Sequence, residues 1–326
     1  MEPVLIEPRH VKPPKIAKIG QVELDLHPAL KNGADFDMWT GTAIIGEQTF
    51  RLLFDTTSFG LWVPSMDSVV SGKERFNIDI AQRVEYIPSY AEIPRHRLIS
   101  QGNPNEAKVY RGQVKIGDKS ARNTFFWTVK NFEPEFESLP FDGCVLLMRR
   151  KMLLNPFISI LGLGFRIPGE GHPGNSFLEL ICVWSHVECI FSFYLANTDP
   201  QLHLLRTNPN CFKEDTVERH TVLPYIETGN LPPHWLIGGG MISANGVPIV
   251  TGIETVLDTE TGDILGPPQL VYAFYKKLHA FGLNVVIRKH GGRDLYFFDC
   301  GPLARAKEFK ISFSWGRRDW EWTADQ

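Results

Sequence analysis

The chain has 326 residues, 43% hydrophobic and 22% charged, with 34 basic against 37 acidic side chains and a formal net charge of −3. That length exceeds one ordinary hydrophobic core and predicts two domains or a duplicated pair. The balanced charge excludes the broad basic footprint of a nucleic-acid binder, and no run approaches the roughly 18 apolar residues of a membrane span.

Residues 1–20, rich in Pro and Lys, read as an extended N-terminal arm. No basic stretch there leads into an apolar one and no Asn-x-Ser/Thr acceptor follows, so an intracellular location is favoured over secretion. Beyond the arm come short apolar or alternating runs at Trp39–Ile45, Thr49–Phe54, Arg97–Ser100, Val109–Ile116 and Phe125–Val129, punctuated by Gly, Asn and Pro. This rhythm predicts antiparallel β structure. Helical periodicity is confined to Asn175–Leu195 and Pro268–Phe281. A Pro- and Gly-bearing stretch at 167–174 precedes the first helix, and a change of lobe is expected at 197–200.

Five cysteines, Cys144, Cys182, Cys189, Cys211 and Cys300, form no dense framework and read as reduced, scattered thiols. Cys182, His186 and Cys189 share one face of the first predicted helix, but the fourth ligand of a closed metal site is missing and a buried-core role is the better reading. The Gly238-Gly239-Gly240 run lacks phosphate-loop or dinucleotide spacing and marks a loop or bulge. Met148-Arg149-Arg150-Lys151 reads as a solvated basic loop. Neither metal nor cofactor is expected.

The informative feature is an internal repeat. Asp55-Thr56-Thr57-Ser58 runs on to Leu61 and Pro64, and Asp258-Thr259-Glu260-Thr261 runs on to Ile264 and Pro267. Both read Asp-Thr-x-(Ser/Thr)-x-x-(Leu/Ile)-x-x-Pro after an apolar stretch, with the two Asp 203 residues apart. One copy per half-chain indicates a duplicated lobe rather than a solenoid.

On these residues the chain resembles the pepsin family of aspartic proteases. Leu53 to Ser65 is similar to the catalytic segment of that family's first lobe, and Met38 to Gly46 to its first hairpin. Phe141-Asp142-Gly143 matches a later motif of that lobe, and Phe191 to Leu195 the end of the interlobe helix. His234 to Ile237 and Tyr296 to Cys300 are placed as strands before and after the second Asp loop. The resemblance spans Ala34 to Trp315. It implies an all-β, bilobal fold with few short helices: an N-terminal lobe at 21–197 that includes the interlobe helix, and a shortened C-terminal lobe at 198–326. It further implies a catalytic pair, Asp55 and Asp258, which share a proton and activate water against a peptide bond. Thr56 and Thr259 would brace the loops, and Ser58 and Thr261 would bond the carboxylates. The partner would be a peptide or small molecule in the interlobe cleft of a monomer, with no nucleic acid and no membrane span.

Several positions depart from the family pattern. Thr57 and Glu260 stand where it has Gly, and Glu260 adds a third carboxyl beside the pair. Gln101 takes the place of the flap tyrosine, and Leu146 that of a Gly. The chain also stops at Gln326, short of the family's Ile-Leu-Gly-Asp strand. These departures keep a second reading open: a non-proteolytic protein on the same scaffold, with a binding or acid/base accessory role. Degenerate members of that kind occur in fungi, some in specialised metabolism.

Overall fold

The computed structural model describes residues 22–25, 27–31, 34–57, 60–88, 99–100, 107–139, 141–146, 177–185, 190–195, 200–223, 235–259, 264–282, 284–290, 293–298 and 310–323. Among them the chain is overwhelmingly β, with two α-helices. The first half contributes β1 (Val22–Asp25), β2 (His27–Lys31), β3 (Ala34–Ile45), β4 (Gln48–Asp55), β5 (Leu61–Pro64), β6 (Val84–Tyr86), β7 (Ala107–Ile116), β8 (Lys119–Val129) and β9 (Gly143–Leu146). Then come α1 (Phe177–Ser185), β10 (Phe191–Tyr194) and β11 (Gln201–Leu204). The second half contributes β12 (Leu236–Ala244), β13 (Val247–Val256), α2 (Pro268–Ala280), β14 (Val285–His290), β15 (Arg293–Phe298), β16 (Lys310–Ser314) and β17 (Asp319–Thr323).

Strands β2 to β9 form one sheet in the order β2-β3-β4-β9-β5-β8-β7-β6, and β3 also pairs with β7. Its two faces are both covered, which explains why the last four residues of β4 and every residue of β5 are buried. One cluster packs Phe50, Leu52, Phe54, Val63 and Phe126 against Leu178, Ile181 and Cys182 of α1. The other packs Leu53, Trp62, Val109 and Trp127 against Phe136 and Phe141. The second half has a sheet in the order β13-β12-β16-β17, a separate β14-β15 hairpin, and a smaller cluster around Ala244, Val250, Leu278 and Ile311. This is the bilobal all-β fold that the sequence predicted.

Two expectations need correction. The helix predicted over 175–195 ends at Ser185, and Phe191–Tyr194 is a strand. Phe191 and Phe193 alternate along it, their rings 5.8 Å apart and perpendicular, and the strand pairs antiparallel with β11. The period there is two rather than 3.6, and the apolar residues that recur on both sides of the change concealed it. Second, Cys182 is disulfide-bonded, whereas Cys211 is free. Scattered spacing in sequence does not prevent folding from bringing two thiols together, and the bond removes Cys182 from any metal-binding role; His186 and Cys189 lie outside the described residues.

The glycine run at 238–240 lies within β12, where the register with β13 shifts on both sides of Gly240, a bulge as expected. Ile99 makes an isolated bridge to Phe132, and the first half of the expected 97–100 strand is outside the described residues. The same holds for the basic loop at 148–151 and for most of the lobe change at 197–200. Immediately beyond that change, β11 lies between β1 and β10, tying the start of the chain to its middle. Among the described residues no helix is long and apolar enough to cross a membrane.

Candidate active site

Each Asp-Thr loop follows the second strand of a hairpin closed by a two-residue turn. In the first half the turn is Gly46-Glu47, with φ of 54° and 74°; in the second it is Asn245-Gly246, with φ of 47° and 75°. Positive φ at both positions is the geometry that suits the twist of paired strands. The structural duplication therefore reaches back beyond the Asp-Thr signature, and the Asn-Gly pair was the signal by which sequence reading had access to it.

Asp55 ends β4 and is fully buried. On one side β4 pairs antiparallel with β3; on the other it pairs parallel with β9, where Asp55 is the register partner of Leu146. The Phe141-Asp142-Gly143 motif clamps this arrangement. Asp142 accepts hydrogen bonds from Arg51 N at 2.9 Å and Glu74 N at 3.1 Å, and its own N–H donates to the Arg51 carbonyl at 2.7 Å. Gly143 passes so close to β5 that a Cβ there would lie 2.3 Å from the Trp62 carbonyl oxygen, a contact no side chain survives.

Asp258 follows β13 and is partly buried. Just before it, Leu257 N donates to the Trp235 carbonyl at 3.1 Å, and the Trp235 ring lies 5.7 Å from Phe191 against the first core cluster.

The threonines lock the loops together reciprocally. Thr56 N donates to Thr259 Oγ1 and Thr259 N to Thr56 Oγ1, both at 3.1 Å. Thr56 Oγ1 in turn donates to the Leu257 carbonyl at 2.9 Å, and Thr259 Oγ1 to the Phe54 carbonyl at 2.7 Å. Each hydroxyl thus satisfies a backbone donor and a backbone acceptor of the opposite half, polar groups that burial would otherwise leave expensive. A pseudo-twofold symmetry is written in these four bonds.

Thr57 departs from what its position led one to expect. Its N–H and its hydroxyl both donate to Asp55 Oδ1, at 2.6 and 2.8 Å, and the same hydroxyl lies 3.5 Å from Asp258 Oδ1. Both carboxyl groups therefore touch one oxygen atom, and the two loops meet as the repeat requires. Ser58, Gln101, Glu260 and Thr261 lie outside the described residues. What the described part offers is two carboxyl groups within reach of one hydroxyl oxygen, with the loops that carry them bonded to each other.

No protein-family model matches the chain. Individual relatives do. It is 25% identical over 248 residues to an aspartic protease of Phaffia rhodozyma, covering 74% of this chain and 53% of that protein. It is 29% identical over 268 residues to pregnancy-associated glycoprotein 2 of Bos taurus, covering 79% and 63%. Aspartic proteinase A3 of Arabidopsis thaliana matches at 25% over 292 residues, covering 86% and 51%. The match spans between about half and somewhat under two thirds of these relatives' own length. With the fold and the paired Asp-Thr loops, these likenesses make the chain similar to the pepsin-like aspartic proteases, from which it has diverged.

Proposed function

We propose that the chain is an aspartic endopeptidase whose two lobes, 21–197 and 198–326, wall a cleft in which Asp55 and Asp258 activate water against a peptide bond. The observation that carries this reading is the reciprocal Thr56–Thr259 lock, which sets both carboxyls against a single hydroxyl. In the reaction one carboxylate takes a proton from water as its oxygen attacks the carbonyl carbon, and the other carboxyl gives its proton to the carbonyl oxygen. When the tetrahedral diol collapses, a hydroxyl proton returns to a carboxylate, the C–N bond breaks, and the amine nitrogen takes a proton from the pair. No other reactant is required. The disulfide at Cys182 favours an oxidising compartment over the intracellular location expected from the N-terminus.

The test is cleavage of a denatured protein across about pH 3 to 7, the range in which carboxyl pairs titrate. Asp55→Asn should lower the rate by about a hundredfold or more. A wild-type protein that cleaves nothing over that range and binds no statine-type inhibitor is not a protease.

One observation favours a second reading, a cleft that binds a ligand without cutting it. The Thr57 hydroxyl touches both carboxyls, as an attacking water must. A peptide retained intact by the wild-type protein but cleaved by Thr57→Gly would establish this alternative.

A further inference from the structure

Thr57 has no counterpart in the glycine that the pepsin-like pattern places after Asp-Thr, and its side chain turns inward to the pair rather than away from it. We infer that the Thr57 hydroxyl is a positioning group that holds the two carboxyls against one oxygen atom and sets their spacing. The inference rests on reading Asp55 and Asp258 as an acid/base pair.

A hydroxyl has one proton to give and lone pairs with which to accept. The short contact, 2.8 Å to Asp55 Oδ1, has the length of a donated bond to a carboxylate, and the Thr57 N–H reaches the same oxygen at 2.6 Å. The same hydroxyl faces Asp258 Oδ1 at 3.5 Å, a longer contact in which it is again placed as donor, so its one proton serves one carboxyl at a time. Its oxygen sets the spacing of the pair whichever carboxyl it serves. A glycine at 57 keeps the N–H bond but has no oxygen to couple the second carboxyl.

Three variants separate this role from mere bulk: Thr57→Val keeps the branched shape, Thr57→Ser keeps the hydroxyl, and Thr57→Gly keeps neither. Carboxyl-carbon NMR of the protein labelled at aspartate reads the bridge without reference to catalysis. The Asp55 and Asp258 resonances should both move in Thr57→Val and Thr57→Gly and return in Thr57→Ser. An Asp258 resonance indifferent to Thr57→Val overturns the inference, whether or not the protein cleaves peptides. Peptide cleavage supplies the second arm. Thr57→Val should lose about ten- to a hundredfold in kcat with KM changed by less than about threefold, the effect of losing one charge-assisted hydrogen bond, and Thr57→Ser should recover most of the loss. Serine as impaired as valine, or glycine faster than wild type, overturns it. If the wild type cleaves nothing while the resonances behave as expected, the bridge stands and the protease reading falls; cleavage with unmoved resonances gives the reverse.

Discussion

Asp55 ends a strand with neighbours on both sides, β3 and β9, and Leu53 and Phe54 before it are wholly buried. Asp258 follows β13, which among the described residues pairs with β12 alone and stands at the edge of its sheet. Val256 and Leu257 before it are 38% and 50% exposed. The same four-residue signature is thus held by a packed sheet in one half and by an edge strand in the other. The lesson is that the symmetry of the repeat is a symmetry of hydrogen bonding, not of packing. The second loop takes its position largely from the first, through Thr56, Thr259 and the Leu257 carbonyl.

The widest gap should come from trimming the apolar residue near each Asp. Leu53→Ala is expected to destabilise by about 3 kcal/mol, because it opens a cavity in a closed core. Leu257→Ala should stay within about 0.5 kcal/mol. Denaturant unfolding followed by hydrogen exchange in each half measures both, and equal losses would break the comparison. Next come the close-packed glycines. Gly143→Ala forces a Cβ onto a backbone oxygen and should cost at least about 2 kcal/mol. Gly240→Ala meets side chains, Ile253 and Trp315, and should cost about 1 kcal/mol as the Trp315 bond to Thr255 yields.

Removing either locking hydroxyl, Thr56→Val or Thr259→Val, should cost about 1 to 2 kcal/mol by stranding a backbone donor and acceptor. The double variant should lose less than the sum. Exchange should rise more at 257–259 than at 54–57; the opposite order would mean that the second loop holds the first. The smallest effect concerns acid. Ser65 donates to Asp67 at 2.6 Å and, with Lys108 and Lys130 nearby, holds that carboxyl below the usual aspartate range despite some burial. The resulting stability is present above the ordinary aspartate pKa and disappears as pH falls through the lowered one. Asp67 is well exposed, so Ser65→Ala should remove no more than about 0.5 kcal/mol of that acid-sensitive term, seen as a flatter stability curve below about pH 4.

Much of this architecture was legible from the chain. Alternation and turn residues placed β3, β4, β7 and β8, and the repeat paired Asp55 with Asp258 because duplicated sequence implies equivalent positions. What escaped depends on partners distant in sequence. The strand at Phe191–Tyr194 exists because β11 pairs with it, and the inward turn of Thr57 exists because two carboxyls converge on it. Thr57 reads only as a departure from the family's glycine, because a glycine's absence is visible in a sequence and a hydroxyl's destination is not. The unequal burial of the two loops was likewise hidden, since both follow apolar residues and only the sheet order shows which strand has a neighbour on each side.

The crossed threonine bonds bear on how the protein comes to be made. Each loop borrows its closing donor and acceptor from chain some 200 residues away. During synthesis the first Asp-Thr turn emerges long before its counterpart and must wait, its amides served by solvent, until the second arrives. Two fragments produced separately would each carry an unfinished turn, and mixing them would make recovery of the acid pair a direct reporter of reassembly.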